Sequence, residues 1–166
     1  RRLTDVDANH EPPRWSPDGA WLYTSRQVDI SRDEPFLDTS LYRINVTSGE
    51  NERFTGTGYS CFSPVPSPDG KWIAFVRLGN DKIGSLLEGI ARLAVMPADG
   101  GEAHDLNVEL DRSPSDYVWS ADSSRVIFSI EHEGIGPIMS APAAGGEVET
   151  LATGDYIGTL LDVTAD

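Results

Sequence analysis

The chain has 166 residues, enough for one ordinary domain with a real core, and its 39% apolar content is normal for a globular chain. A net charge of −14 argues against nucleic acid and anionic membranes as partners, since both require a basic footprint. No apolar run approaches the roughly 20 residues of a membrane span, so no membrane insertion is expected, and the single cysteine, Cys61, argues against a disulfide framework or a cysteine-rich metal site.

One short stretch recurs along the chain. Trp15-Ser16-Pro17-Asp18-Gly19 returns as Ser67-Pro68-Asp69-Gly70, then in softened form as Trp119-Ser120-Ala121-Asp122-Ser123, and Thr164-Ala165-Asp166 opens it again. The period of about 50 residues points to propeller blades or solenoid units. The motif has a physical role: Pro presets φ for a type I turn, Asp bonds back to the turn backbone, and Gly closes it without strain. Each full copy is followed by an apolar run, at Trp21–Thr24, Trp72–Val76 and Val126–Ile130, which predicts strand, tight turn, strand.

In chain order, Arg1-Arg2-Leu3-Thr4 matches Glu52-Arg53-Phe54-Thr55, His104-Asp105-Leu106-Asn107 and Glu149-Thr150-Leu151-Ala152, so all four are read as the last strand of a repeat. Residues 5–13 are a loop. Asp5-Val6-Asp7-Ala8-Asn9 imitates a calcium-binding loop, but His10 and Ser16 stand where that loop needs Gly and Glu; an acidic loop is the expectation, with His10 structural.

The first repeat, about 5–55, predicts strand a ending at Trp15, b over 20–26, c over 40–46 and d over 51–55, with Ser48-Gly49 between c and d. The second, about 56–107, places a over 59–66, b over 71–78, c over 92–97 and d over 102–107, with Asp99-Gly100-Gly101 as its c–d turn. The third, about 108–152, places a over 117–120, b over 125–131, c over 137–142 and d over 147–152, turning at Gly145-Gly146. Residues 156–163 start a further repeat. Cys61, in an apolar run, is expected to be a buried structural thiol.

The turns are regular while the b–c connections vary, with extra residues at 28–38 and 79–91, the latter containing one predicted helical turn at 85–90. In an antiparallel blade, a–b and c–d turns share one face and b–c loops and d–a crossings share the other. The individual loops therefore collect on one face, where function is usually carried.

Trp-Ser-Pro-Asp-Gly with its following apolar strand, and the turns Gly100-Gly101-Glu102 and Gly145-Gly146-Glu147, resemble the blade repeat of TolB-like β-propellers. The same repeat builds the N-terminal propeller of the prolyl oligopeptidase family, and the third repeat and the long b–c insertions tilt the resemblance toward those peptidases. It implies an all-β partial propeller of about three four-stranded blades plus two flanking strands, within a single domain 1–166. It also implies a C-terminal α/β-hydrolase domain in the parent protein carrying Gly-x-Ser-x-Gly, then Asp, then His. Gly58-Tyr59-Ser60-Cys61-Phe62 comes nearest here and ends in Phe where the elbow needs Gly, so this chain is expected to hydrolyse nothing alone.

Three functional readings follow. The first is a non-catalytic segment that selects peptides for a serine peptidase. Its candidate binding residues lie on the loop face: Arg32, Asp33, Glu34, Asp81, Lys82, Asp111 and Arg112, where Arg112 can take a peptide carboxylate or carbonyl and the acids an amino terminus. The second is a TolB-like propeller that binds a protein partner without chemistry. The third, a channel enzyme, ranks last because the predicted a strands carry few titratable groups, and the Glu131-His132-Glu133 cluster reads as a solvated hairpin end. No cofactor or metal is implied. Three blades do not close a ring, so the chain is expected to be a segment of a longer protein or to self-associate through its exposed faces and edges.

Overall fold

The recurring motif closes the same hairpin three times in the computed structural model, which describes residues 8–27, 39–56, 58–79, 90–130 and 136–153. In the first copy the Gly19 N–H donates to the Ser16 carbonyl at 2.9 Å. Ser16 Oγ donates to Asp18 Oδ1 at 2.6 Å and accepts the Trp21 N–H at 2.9 Å, while the same Asp18 oxygen accepts the Ala20 N–H at 3.0 Å. Ser67 with Asp69 and Ser120 with Asp122 repeat the arrangement at 2.7–3.1 Å. The serine thus bridges the two strands, and the aspartate stiffens the bend between them.

Each hairpin belongs to a four-stranded antiparallel meander. The first sheet is β1 (Arg14–Trp15), β2 (Trp21–Gln27), β3 (Thr39–Asn45) and β4 (Asn51–Arg53). The second is β5 (Tyr59–Pro66), β6 (Trp72–Gly79), β7 (Arg92–Pro97) and β8 (His104–Asp105). The third is β9 (Pro114–Trp119), β10 (Arg125–Ile130), β11 (Ile138–Pro142) and β12 (Glu149–Ala152). This is the partial propeller that the repeats predict, with strands alone among the described residues. The strands expected at 1–4 and 156–163 lie outside the described residues, as does all but Ile90 of the expected helical turn.

The core lies between sheets. Tyr23 and Leu41 of the first sheet pack on Ile73, Phe75, Ala94 and Met96 of the second. The opposite face of the second sheet offers Ala74, Leu93 and Val95 to Trp119, Val126, Phe128 and Met139 of the third. A sheet buried on both faces has no polar side, which is why the b strand of the second repeat reads as a continuous apolar run.

Two elements depart from expectation. β8 spans only two residues because the Asn107 side chain takes over the ladder, its Oδ1 accepting the Leu93 N–H at 2.8 Å. β9 starts earlier than expected, at Pro114, opposite Ile130 across a bulge; Pro suits the first position of an edge strand, where its missing N–H goes unneeded.

Neighbouring sheets are also pinned by side chains at equivalent places. Arg43 Nη1 donates to the Ala98 carbonyl at 3.1 Å, and His104 Nε2 lies 2.8 Å from the Ala143 carbonyl. A carbonyl only accepts, so His104 carries a proton on Nε2. Ala98 and Ala143 each sit in the c–d turn just ahead of its glycines, so each sheet reaches forward to the same point of the next.

Candidate functional site

The first strands of the three sheets meet around Ser63. This residue has φ +54°, inside a bulge between Phe62 and Val65 of β5, a left-handed conformation that costs a non-glycine residue about 1–2 kcal/mol. Side chains from both neighbouring sheets hold it there. Glu11 Oε2 accepts the Ser63 N–H at 2.7 Å and the Ser63 hydroxyl at 3.3 Å, and the Tyr117 hydroxyl donates to the Ser63 carbonyl. Glu11 is itself fixed to β2: its N–H donates to the Ser25 carbonyl at 3.1 Å, its carbonyl accepts the Thr24 hydroxyl at 2.8 Å, and its carboxylate takes the Ser25 hydroxyl.

Beside this clasp lies a cavity of about 310 Å³ to which all three sheets contribute, with Glu11, Arg14, Ser63, Asp116 and Tyr117 as its polar lining. Pro12, Pro64, Val65 and Val76 supply stiff apolar walls. The lining comes from the entrances of the inner strands, which places the cavity toward the face that carries the d–a crossings. Burial pushes the Tyr117 phenol well above its ordinary value; the Glu11 carboxylate adds to the rise and Arg14 opposes it. The shift favours the neutral phenol, the form that donates to the Ser63 carbonyl. The Glu11 carboxylate is occupied by Ser25 and Ser63. Among the described residues no three His, Cys, Asp or Glu side chains stand close enough to hold a metal.

Asp111 and Arg112 lie in the crossing from β8 to β9, on the same face. Arg112 Nη1 donates to the Asp111 carbonyl at 2.6 Å and stands 3.9 Å from its carboxylate. The crossing beneath them is rigid. Asn107 Nδ2 donates to the Arg112 carbonyl at 3.2 Å, and Arg92 Nη1 serves the carbonyls of Asn107, Val108 and Leu110 at 3.0, 3.3 and 2.8 Å. Asp111 and Arg112 are exposed and are not part of the cavity lining. Arg32, Asp33, Glu34, Asp81, Lys82 and the Glu131-His132-Glu133 cluster lie outside the described residues. His10 pairs with Arg26 in an isolated bridge, and burial and the Arg26 charge lower its pKa. Cys61 is buried, and its thiol is pushed up to about 11 by that burial.

Sequence reasoning passed over Glu11, Arg14, Ser63 and Asp116. A usable signal exists in the repeats: the fourth residue before each motif serine is Pro12, Ser63 and Asp116, and all three line the cavity. Position within the repeat, not residue type, marks the inner wall.

No protein-family model matches the chain. It is 30% identical over 107 residues to an uncharacterized protein of Agrobacterium fabrum, covering 63% of this chain and 33% of that protein. It is 27% identical over 145 residues to dipeptidyl-peptidase 5 of Porphyromonas gingivalis, covering 86% of this chain and 21% of that enzyme. Among solved structures, TolB from Acinetobacter baumannii superposes with a TM-score of 0.58 and 21% identity, over 89% of this chain and 36% of that one. A puromycin-hydrolyzing peptidase of Mycobacterium tuberculosis superposes with a TM-score of 0.62 and 16% identity, over 87% of this chain and 23% of that one. The chain therefore spans about a third or less of the two relatives it matches in sequence. The fold is shared with TolB-like propellers and with propeller-bearing peptidases.

Proposed function

We propose that the chain is the non-catalytic propeller segment of a prolyl-oligopeptidase-type serine peptidase, selecting peptides for an α/β-hydrolase domain in the same parent protein. The observation that carries this reading is the alignment with dipeptidyl-peptidase 5, which runs through 86% of the chain. The geometry is compatible with it: a rigid scaffold presents a polar cavity and the d–a crossings on one face, and residues held on such a scaffold discriminate ligands without performing chemistry. In this reading residues 1–166 form one partial propeller domain with repeats at about 5–55, 56–107 and 108–152. Arg112 and Asp111 in the β8–β9 crossing, with Arg32 and Glu34 as further candidates, would meet peptide charges in this reading.

A second reading, a TolB-like propeller that binds a protein partner and has no peptidase attached, is favoured by the superposition on TolB at a TM-score of 0.58. The coding sequence on both sides of this segment decides between them. A downstream Gly-x-Ser-x-Gly followed by Asp and His supports the peptidase reading. A stop codon after a few more blades overturns it and leaves the interaction propeller, to be pursued by partner capture and by measuring whether the chain self-associates.

A further inference from the structure

Most arginines of this fold serve it. Arg43 and Arg77 pair with Glu52 and Asp105, Arg92 gathers three carbonyls, Arg125 holds Ser140 and Glu149, and Arg26 stacks on the Tyr42 ring. Arg14 does none of this. Arg14 lines the inner cavity and, among the described residues, has no hydrogen-bond or ion-pair partner; its charge is felt by Tyr117. Asp116 lines the same cavity, and its carboxylate also has no hydrogen-bond or ion-pair partner among the described residues. One comes from β1 of the first sheet and the other from β9 of the third. Beside them stands Ser63, kept in its costly left-handed conformation by Glu11 and Tyr117.

We infer that this cavity is a binding site for a short free peptide, with Arg14 taking the carboxylate and Asp116 the ammonium group. The inference rests on the peptide-selecting reading above for the class of ligand. Its own warrant is the charge pattern. A purely anionic ligand would leave Asp116 facing a like charge, and a purely cationic one would do the same to Arg14. A zwitterion satisfies both, and Pro12, Pro64 and Val65 in the same lining can cover the body that joins its two charges. The volume of about 310 Å³ stands at the low end for small-ligand sites, which suits a few residues and excludes a folded partner. Stiff walls and the Ser63 clasp mean that little must be ordered on binding, and such preorganisation favours affinity. The chain's net charge of −14 draws in an ammonium group but repels a carboxylate, so carboxylate capture falls to a local cation.

The test is calorimetric titration of the full chain with trialanine, N-acetyl-trialanine and trialanine amide, repeated on Arg14→Gln and Asp116→Asn. Trialanine should bind wild type, and blocking either end should weaken binding about 10-fold or more, the worth of one charge-assisted hydrogen bond. Arg14→Gln should no longer distinguish trialanine from its amide, and Asp116→Asn should no longer distinguish it from the acetylated form. Thermal melts of both variants should match wild type, since neither side chain has a hydrogen-bond or ion-pair partner among the described residues. Absence of binding by wild type at millimolar peptide overturns the site. Blocked peptides that bind as well as the free one also overturn it, and point instead to recognition of an internal segment of a longer chain. A parent frame without a hydrolase sinks the peptidase reading and leaves this titration unaffected, whereas a failed titration beside a downstream hydrolase sinks this site alone.

Discussion

Ser123 Oγ accepts the backbone N–H of Asp69 at 3.0 Å, tying the a–b turn of the third sheet to that of the second. Ser123 has φ +62° at the position where the other two turns use Gly19 and Gly70. The first two turns approach each other without such a bond: Pro17 lies 3.8 Å from where a Cβ on Gly70 would stand. The third repeat gives up the favourable glycine and obtains a hydrogen bond between sheets.

Two substitutions separate these effects. Ser123→Ala keeps the left-handed strain and loses the bond, and should cost about 1 kcal/mol. Ser123→Gly loses the same bond but relieves the strain, and should fall within about 0.5 kcal/mol of wild type. Urea denaturation midpoints measure both. An alanine variant as stable as wild type would show that the link contributes nothing.

The clasp on Ser63 predicts coupling between Glu11, from the first repeat, and Tyr117, from the third, since both hold this residue. Glu11→Ala removes the acceptor for the Ser63 N–H and hydroxyl and for the Ser25 hydroxyl, at an expected cost of about 2 kcal/mol. Tyr117→Phe removes one bond, to the Ser63 carbonyl, for about 1 kcal/mol. Once either holder is gone Ser63 is free to relax its backbone, so the double variant should lose less than the sum of the singles. Strict additivity in equilibrium unfolding would mean that the two contacts are independent.

How much of this was legible depends on whether a residue acts within its own repeat or between repeats. The Ser16–Asp18 turn and its copies are local: their hydrogen bonds join residues two to five apart, and composition within five residues predicts them. The strands followed from the apolar runs behind each turn, and the burial of Cys61 from its neighbours. The short β8 was not legible, because Asn107 ends it through a bond to Leu93, fourteen residues away. Nor was the cavity. Glu11 meets Ser63 across 52 residues and Tyr117 meets Ser63 across 54, distances at which only the stacking of one sheet on the next brings them together. A glutamate before two prolines reads as a loop residue until the neighbouring blade is in place.

Acid should loosen the turns before it touches the core. Hydrogen bonds from the Ser120 hydroxyl, the Ser124 N–H and the Ser124 hydroxyl hold the Asp122 carboxyl at about 2, below its ordinary 3.8, and Asp18 and Asp69 are lowered by the equivalent serine hydroxyls and backbone donors. A carboxyl with a depressed folded pKa stabilises the fold above its unfolded value, and this stabilisation is lost as pH falls through the folded one. The window therefore runs from about pH 4 down to about 2. Asp122→Ala should melt a few degrees below wild type at pH 7, and the gap should close across that window. A gap that persists unchanged at pH 2 would place the effect in packing rather than in the carboxylate.

Trp15 and Trp119 occupy the same place in their repeats and should behave differently. Trp119 is 5% exposed, packs in the core shared by the second and third sheets, and donates from Nε1 to the Val65 carbonyl at 2.9 Å. Trp15 is 60% exposed, and its indole N–H has no partner among the described residues. Trp119→Phe forfeits the hydrogen bond and part of the packed area, for about 1–3 kcal/mol, and Trp119→Ala should cost about 3–5 kcal/mol. Trp15→Phe should stay within about 0.5 kcal/mol of wild type. Fluorescence gives an independent reading: iodide should quench the Trp15 contribution, lost in Trp15→Phe, while the emission missing from Trp119→Phe should be blue-shifted and protected. Equal costs for the two phenylalanine variants would mean that the Trp15 indole is covered in solution as Trp119 is, with another surface packed upon it.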